Sequence, residues 1–153
     1  MSAPTVRRAT EADLDLLKPM RQDLWDDLTP EENDKELRTR MSGHTPTGMA
    51  TVVLIAELDG EPVGFMSVDL RSAADGCDWN HPVAYVEGWY VKPRIRRKGV
   101  GRALIAAAEE WAREQGCIEF ASDTWIENDS SRRAHEAAGF EEVDRVVHYR
   151  KRL

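Results

Sequence analysis

Ala84–Ala112 reads AYVEGWYVKPRIRRKGVGRALIAAAEEWA, and three kinds of local chemistry follow one another along it. Tyr85, Val86, Trp89, Tyr90 and Val91 are aromatic or β-branched, so Ala84–Val91 predicts a strand that Pro93 ends. Apolar residues then recur at Leu104, Ile105, Ala108, Trp111 and Ala112, the spacing of one helix face, with Glu109, Arg113 and Glu114 opposite. Between them lies Arg96-Arg97-Lys98-Gly99-Val100-Gly101. The first turn of a helix presents N–H groups without internal acceptors, and the helix dipole adds partial positive charge there. Gly99 and Gly101 leave that backbone uncovered, and Arg96, Arg97 and Lys98 add full charges beside it. The junction therefore suits an anion, a diphosphate above all. On these residues alone, a solvated basic loop that contains glycine is an equal alternative. The loop is neither a Walker loop nor GxGxxG, because the required Gly-Lys-Ser/Thr and glycine spacing are absent.

At 153 residues the chain is expected to form one domain, residues 1–153, with room for a sizeable core. No apolar run is long enough to span a bilayer, and MSAPTVRRATEADLDLL lacks the apolar region of a secretory signal. Cys77 and Cys117 have neither metal-ligand spacing nor a disulfide framework, so no metal and a reduced cytoplasmic setting are expected. The net charge is −7, yet Lys92–Arg102 carries six basic residues and no acid. A chain so acidic elsewhere is a poor general binder of nucleic acid, and no nucleic-acid or membrane partner is expected. The basic island is matched to one anionic ligand, and acidic surroundings attract a cationic one. The densest acidic run, Asp26–Glu36, also reads as an ordinary solvated helix face.

Thr5–Arg8 predicts a short strand, and Thr10 with Asp13 an N-cap. Leu14, Leu17, Leu24, Trp25 and Leu28 then keep helical spacing, with Pro19 expected to kink or split the helix. Thr29-Pro30-Glu31-Glu32 starts a second helix that runs to about Met41 and stops at Gly43. Thr51–Leu58 and Val63–Leu70 predict a hairpin about Asp59-Gly60, and Ser72–Pro82 a loop. After the central stretch, Gly116 closes the helix, Ile118–Ser122 predicts a strand, Ser131–Ala138 a helix, and Glu142–Arg150 a last strand with Val143, Val147 and Tyr149 on one packed face. The order β-α-α-β-β-β-α-β-α-β implies an α/β (α+β) fold, a mixed sheet with helices on both faces.

Arg96-x-x-Gly99-x-Gly101 at a strand–helix junction resembles the acyl-CoA signature of the Gcn5-related N-acetyltransferase family, and Asn128 before a helix closing on Ala138-Gly139-Phe140 resembles that family's second motif. The element order agrees over nearly the whole chain. The resemblance implies a mostly antiparallel sheet whose central strand is bulged, near Gly88, and splays from its neighbour to receive the pantetheine arm. From about Arg21 onward, Leu24-Trp25, Gly76-Cys77-Asp78, Val86-Glu87-Gly88, Ala121-Ser122-Asp123-Thr124, Glu127-Asn128, Gly139-Phe140-Glu141-Glu142 and Tyr149-Arg150-Lys151-Arg152 are similar to aminoglycoside 6′-N-acetyltransferases. That likeness implies acetyl-CoA as co-substrate, bound by Trp89, Tyr90, Val91, Arg96, Arg97, Lys98, Gly99, Val100, Gly101 and Asn128. It implies an aminoglycoside bound by Trp25, Glu87, Asp123 and Asp144, and a homodimer. Ala74 stands where the resistance enzymes usually carry Tyr, two residues before Gly76, and Trp79-Asn80-His81 also departs from them, so the acceptor pocket differs there.

An ammonium must lose a proton before it can attack a thioester, and Asp123 and Glu87 are the carboxylates placed to accept it, directly or through water. A backbone N–H near Trp89 would polarise the carbonyl. Each residue also has a plainer reading: Glu87 as an outward strand residue, Asp123 as a turn acid, Trp25 as core. His135 occupies the position of a thiolate-protonating Tyr in many members of the fold, yet a satisfied packing histidine is the simpler role. Neither Cys has an adjacent base, which favours direct transfer. Other amines (a polyamine, a small metabolite, a protein lysine) and a non-catalytic acyl-CoA-binding module are the alternative functions. A nucleotide-binding regulator is more distant.

Overall fold

The computed structural model describes residues 2–153. Five strands form one sheet in the order β1-β2-β3-β4-β5: β1 (Thr5–Arg8), β2 (Thr51–Leu58), β3 (Glu61–Arg71), β4 (Val83–Val91) and β5 (Phe120–Ala121). The first four pair antiparallel, and β5 runs parallel to β4. Successive side chains on a strand point to opposite faces, and β2 divides its apolar residues accordingly. Val52, Leu54 and Ala56 pack with Leu104, Ile105, Ala108 and Trp111 of α3 (Val100–Glu114). Val53 and Ile55 pack with Leu17 and Met20 of α1 (Leu14–Leu24) and Leu37 of α2 (Pro30–Met41). Helices therefore cover both faces, as the element order implies. α4 (Asp129–Ala137) follows β5.

Local signals fix most boundaries. At α2, Thr29 Oγ1 accepts from Glu32 N at 3.2 Å while the Glu32 carboxylate accepts from Thr29 N at 2.9 Å, a reciprocal cap. Asp59 and Gly60 both take left-handed backbone, φ 52° and 79°, which matches the twist of the β2–β3 hairpin. Of the two outcomes expected at Pro19, a kink or a split, the split does not occur: α1 runs through the proline. Leu17, Met20 and Arg21 on its buried side fasten the turns either side of the proline.

Before α1, Arg7 grips Asp13 with two bonds of 2.8 Å, and Thr10 N donates to the same carboxylate at 2.7 Å. The Arg7 guanidinium holds the buried Asp13 carboxyl down to about 2. The folded value lies below the unfolded one, so this stability is present above about pH 4 and is lost as pH falls through about 2. Asp13→Asn is expected to destabilise the fold by about 2 kcal/mol at pH 7, the gap from the parent closing across that acid window in urea titrations.

The sheet opens at β4. Only Ala84↔Phe120 and Tyr85↔Ala121 pair β4 with β5, shorter than the expected Ile118–Ser122 strand, and beyond Tyr85 the outer edge of β4 has no ladder partner among the described residues. On the other side, Ser67 pairs with Gly88 and Val68 with Val86, leaving Glu87 as the extra residue of a bulge. The bulge shifts the alternation by one residue. Ala84 and Val86 before it, and Trp89 and Val91 after it, all lie on the α3 side.

The last expected strand does not form. Residues 140–153 adopt neither helix nor strand, and Tyr149, Val146 and Val147 are exposed rather than packed. Phe140, at the start of the segment, packs against Phe120 and His135, and Val143 approaches Gly76 although it stays largely exposed. A β-rich composition cannot make a strand without a neighbouring edge to bond, and none pairs with this segment within one chain.

Candidate active site

The basic loop is bound back to β4 by one contact, Arg96 Nε to the Val91 carbonyl at 3.0 Å. Arg97 and Gly99 have left-handed backbone, φ 68° and 83°, and such alternation turns successive N–H groups toward one concavity. The first helical bond is Ala103 N to Gly99 O, so Val100, Gly101 and Arg102 keep their N–H groups without a backbone acceptor. Arg96, Arg97, Lys98 and Gly99 are exposed, and none of these cations has a carboxylate partner among the described residues. A Cβ at Gly99 would meet nothing within 4 Å. Open space, bare donors and uncommitted cations fit the diphosphate of a coenzyme A.

The structure redistributes some of the expected cofactor contacts. Val100 is buried in the core and offers only its N–H. The Tyr90 ring lies on the α1 face beside Phe65, its hydroxyl donating to Asp23 at 2.9 Å, so only its main chain lines the open edge. Asn128 Oδ1 accepts from Ser131 N at 3.1 Å and caps α4, which commits that oxygen to the helix. Trp89 stands between the start of α3 and α4. A Cβ at Gly101 would lie 3.3 Å from its Cζ2, and its ring meets His135 edge-on at 5.3 Å. Gly101→Val is therefore expected to push the indole aside and raise the KM for acetyl-CoA by about tenfold. An unchanged KM would place the anion elsewhere.

His135 is satisfied at both nitrogens. A carbonyl can only accept, so Nδ1, 2.7 Å from Ser131 O, carries the proton. In the neutral ring, Nε2 then accepts from Ser122 Oγ at 2.7 Å. The histidine pins α4 to the end of β5. Burial pushes both cysteine thiols up, away from the reactive thiolate, in keeping with direct transfer.

The two expected acceptor carboxylates, Asp123 and Glu87, belong to one bonded group. Tyr85 donates its hydroxyl to Asp123 Oδ2 at 2.7 Å. Burial, then the Asp123 carboxylate, pushes the Tyr85 phenol far above its ordinary range, so it remains the donor. The Arg71 guanidinium lies 3.6 Å above the Tyr85 ring and bonds Glu87 Oε1 through Nε at 3.0 Å and Nη2 at 2.6 Å. Neither Arg71 nor Tyr85 is marked as a site residue by the sequence. The only available clue is period two on β4, which puts Tyr85 in step with Glu87. Trp25 ends α1 and lays its indole edge on Gly88, with Arg21 4.8 Å from its ring centroid. Asp144 is exposed on the C-terminal segment, its Oδ1 bonded to Arg145 N, and does not join this group within one chain. Much of the acidic run from Asp26 to Glu36 is spent internally: Asp34 on Lys18 and Arg38, Glu36 on Arg21, Glu32 on its cap.

A sheet prised open beside a helix start that is bare for a diphosphate defines an acyl-CoA-dependent transferase site. Residues 17–140 match the acetyltransferase (GNAT) family, and the chain belongs to it. The aminoglycoside N(6′)-acetyltransferase type 1 of Klebsiella aerogenes is 45% identical over 152 residues, 99% of each chain. That of Stenotrophomonas maltophilia is 41% identical over 99% of this chain and 95% of its own. The structure of AAC(6′)-Iy in complex with the bisubstrate analogue CoA-S-monomethyl-acetylneamine has a TM-score of 0.89 at 34% identity, over 99% of this chain and 100% of that one.

Proposed function

We propose that this acetyltransferase moves the acetyl group of acetyl-CoA to the 6′-amine of an aminoglycoside, by direct attack in a ternary complex. The observation that carries the reading is the opening between β4 and β5: uncommitted donors at the start of α3 lie to the cofactor side, and Asp123 closes β5 on the acceptor side. The names of the full-length relatives point to the same acceptor.

Asp123 accepts a proton from the acceptor ammonium, directly or through water, and the freed lone pair attacks the thioester carbon. The C–N bond forms, a main-chain N–H at the unpaired edge near Trp89 steadies the oxyanion, the C–S bond breaks with coenzyme A leaving as thiolate, and the second proton on the nitrogen passes through water to that thiolate, which leaves a neutral amide. Glu87 binds the same cation, and the Trp25 indole supplies a flat face for a sugar ring. Ala74 is buried, so no aromatic ring reaches the acceptor from that position.

The test is thiol release from acetyl-CoA with kanamycin-type drugs that have or lack a free 6′-amine, beside spermidine and a histone-like peptide. Turnover confined to drugs with the 6′-amine supports the reading. Turnover with spermidine or the peptide alone transfers it to another amine, and none at all favours a binding module.

We also propose a homodimer in which residues 141–153 supply a strand to a second copy. The segment's exposed Val146, Val147 and Tyr149, and the short open edge at β5, support it. Asp144 joins an acceptor site only in that arrangement. Deleting residues 141–153 is expected to convert a sedimenting dimer to monomer; a dimer that persists would locate the interface elsewhere.

A further inference from the structure

We propose that Arg71 and Tyr85 are positioning residues for the acceptor amine: stacked on each other, they anchor one oxygen of Glu87 and one of Asp123. The proposal rests on the acceptor reading above.

The register builds the stack. Asp69 opposes Tyr85 and Arg71 opposes Val83, so Arg71 is the diagonal neighbour of Tyr85 across β3 and β4. Its guanidinium carbon lies over the phenol ring, 3.6 Å from the centroid, and the bulge at Glu87 brings that carboxylate to the same fork. Arg71 Nε and Nη2 reach the same atom, Glu87 Oε1, at 3.0 and 2.6 Å. The Tyr85 hydroxyl takes Asp123 Oδ2. Among the described residues, Glu87 Oε2 and Asp123 Oδ1 have no hydrogen-bond partner. Each acid thus has one oxygen fixed and one available to a cation. Two carboxylates against one guanidinium leave the group one negative charge, enough to draw an ammonium without the mutual repulsion of two unshielded acids.

Arg71 is partly exposed, with 42% of its side chain accessible, so solvent screens the pair and its contribution is orientation more than stability. A guanidinium can stack and fork at once, whereas an ammonium does neither in the same way. A purely competitive role, in which Arg71 blocks Glu87 until substrate displaces it, predicts the opposite sign: removing Arg71 would tighten drug binding.

The test is calorimetric binding of a kanamycin-type drug to the full chain with coenzyme A present. Arg71→Met and Tyr85→Phe are each expected to raise Kd by about fivefold, and Arg71→Lys to recover part of the loss. In a Glu87→Gln background Arg71→Met should add nothing, and in an Asp123→Asn background Tyr85→Phe should add nothing. Tyr85→Phe keeps the ring and its packing, so a fold defect cannot mimic that result. Tighter binding in Arg71→Met, or additive losses in both backgrounds, overturns the proposal and leaves the acceptor reading standing. No drug binding by the parent protein overturns both.

Discussion

Asp123→Asn is expected to lower kcat for a 6′-amino aminoglycoside by about a hundredfold or more, with the KM for acetyl-CoA unchanged. The amine arrives mostly as ammonium, which has no lone pair to attack with. In the proposed reaction the Asp123 carboxylate takes the proton. An amide cannot, so the variant depends on the small fraction of amine already neutral, and its rate should climb with pH where the parent's has levelled. Cofactor affinity is the control, because the donors of the α3 start and the Trp89 indole lie across the sheet from Asp123. Glu87→Gln offers the contrast. Glu87 is already bonded to Arg71, so its loss should raise the KM for the drug more than it lowers kcat. Parental turnover in Asp123→Asn would remove that residue from the mechanism.

Those two carboxylates are named from the sequence, while the side chains that hold them are not. A residue's place on a strand follows from alternation, and the α3 start follows from glycines and arginines set close together in the chain. Arg71 and Tyr85 meet on a diagonal fixed by a bulged register, which no local pattern encodes. The same distinction runs through the fold. Reciprocal capping at Thr29 and Glu32 and the Asp59-Gly60 turn are interactions between residues at most a few positions apart, and they form as expected. Pro19 does not split α1, because burial of Leu17 and Arg21 on either side of it outweighs one missing bond. The C-terminal strand depends on an edge that one chain does not offer, so β-propensity alone misjudges it.

Gly88→Ala is expected to lower stability and acceptor affinity together. Gly88 does not need glycine for its backbone, since its φ is not among the positive ones. Space is the reason. A Cβ there would lie 2.5 Å from Trp25 Cη2, 2.8 Å from Cζ2 and 3.3 Å from Leu24 Cδ2. The indole cannot simply swing away. Its ring packs with Phe65 at 6.1 Å and with the Arg21 guanidinium, and Arg21 is buried and tied to Asn33 at 2.7 Å and Glu36 at 2.9 Å of α2. Shifting Trp25 therefore loosens the α1–α2 join as well as the proposed sugar face. Overpacking of this kind costs about 1–3 kcal/mol, which for a chain of this length lowers the melting temperature by roughly 3–10 °C. The KM for the drug should rise with it, and the KM for acetyl-CoA should not. A strained bulge and a steric clash are told apart by Trp25→Ala. If the clash is the cause, Gly88→Ala becomes nearly neutral once the indole is gone; if it destabilises the Trp25→Ala protein equally, glycine is required by the bulge itself.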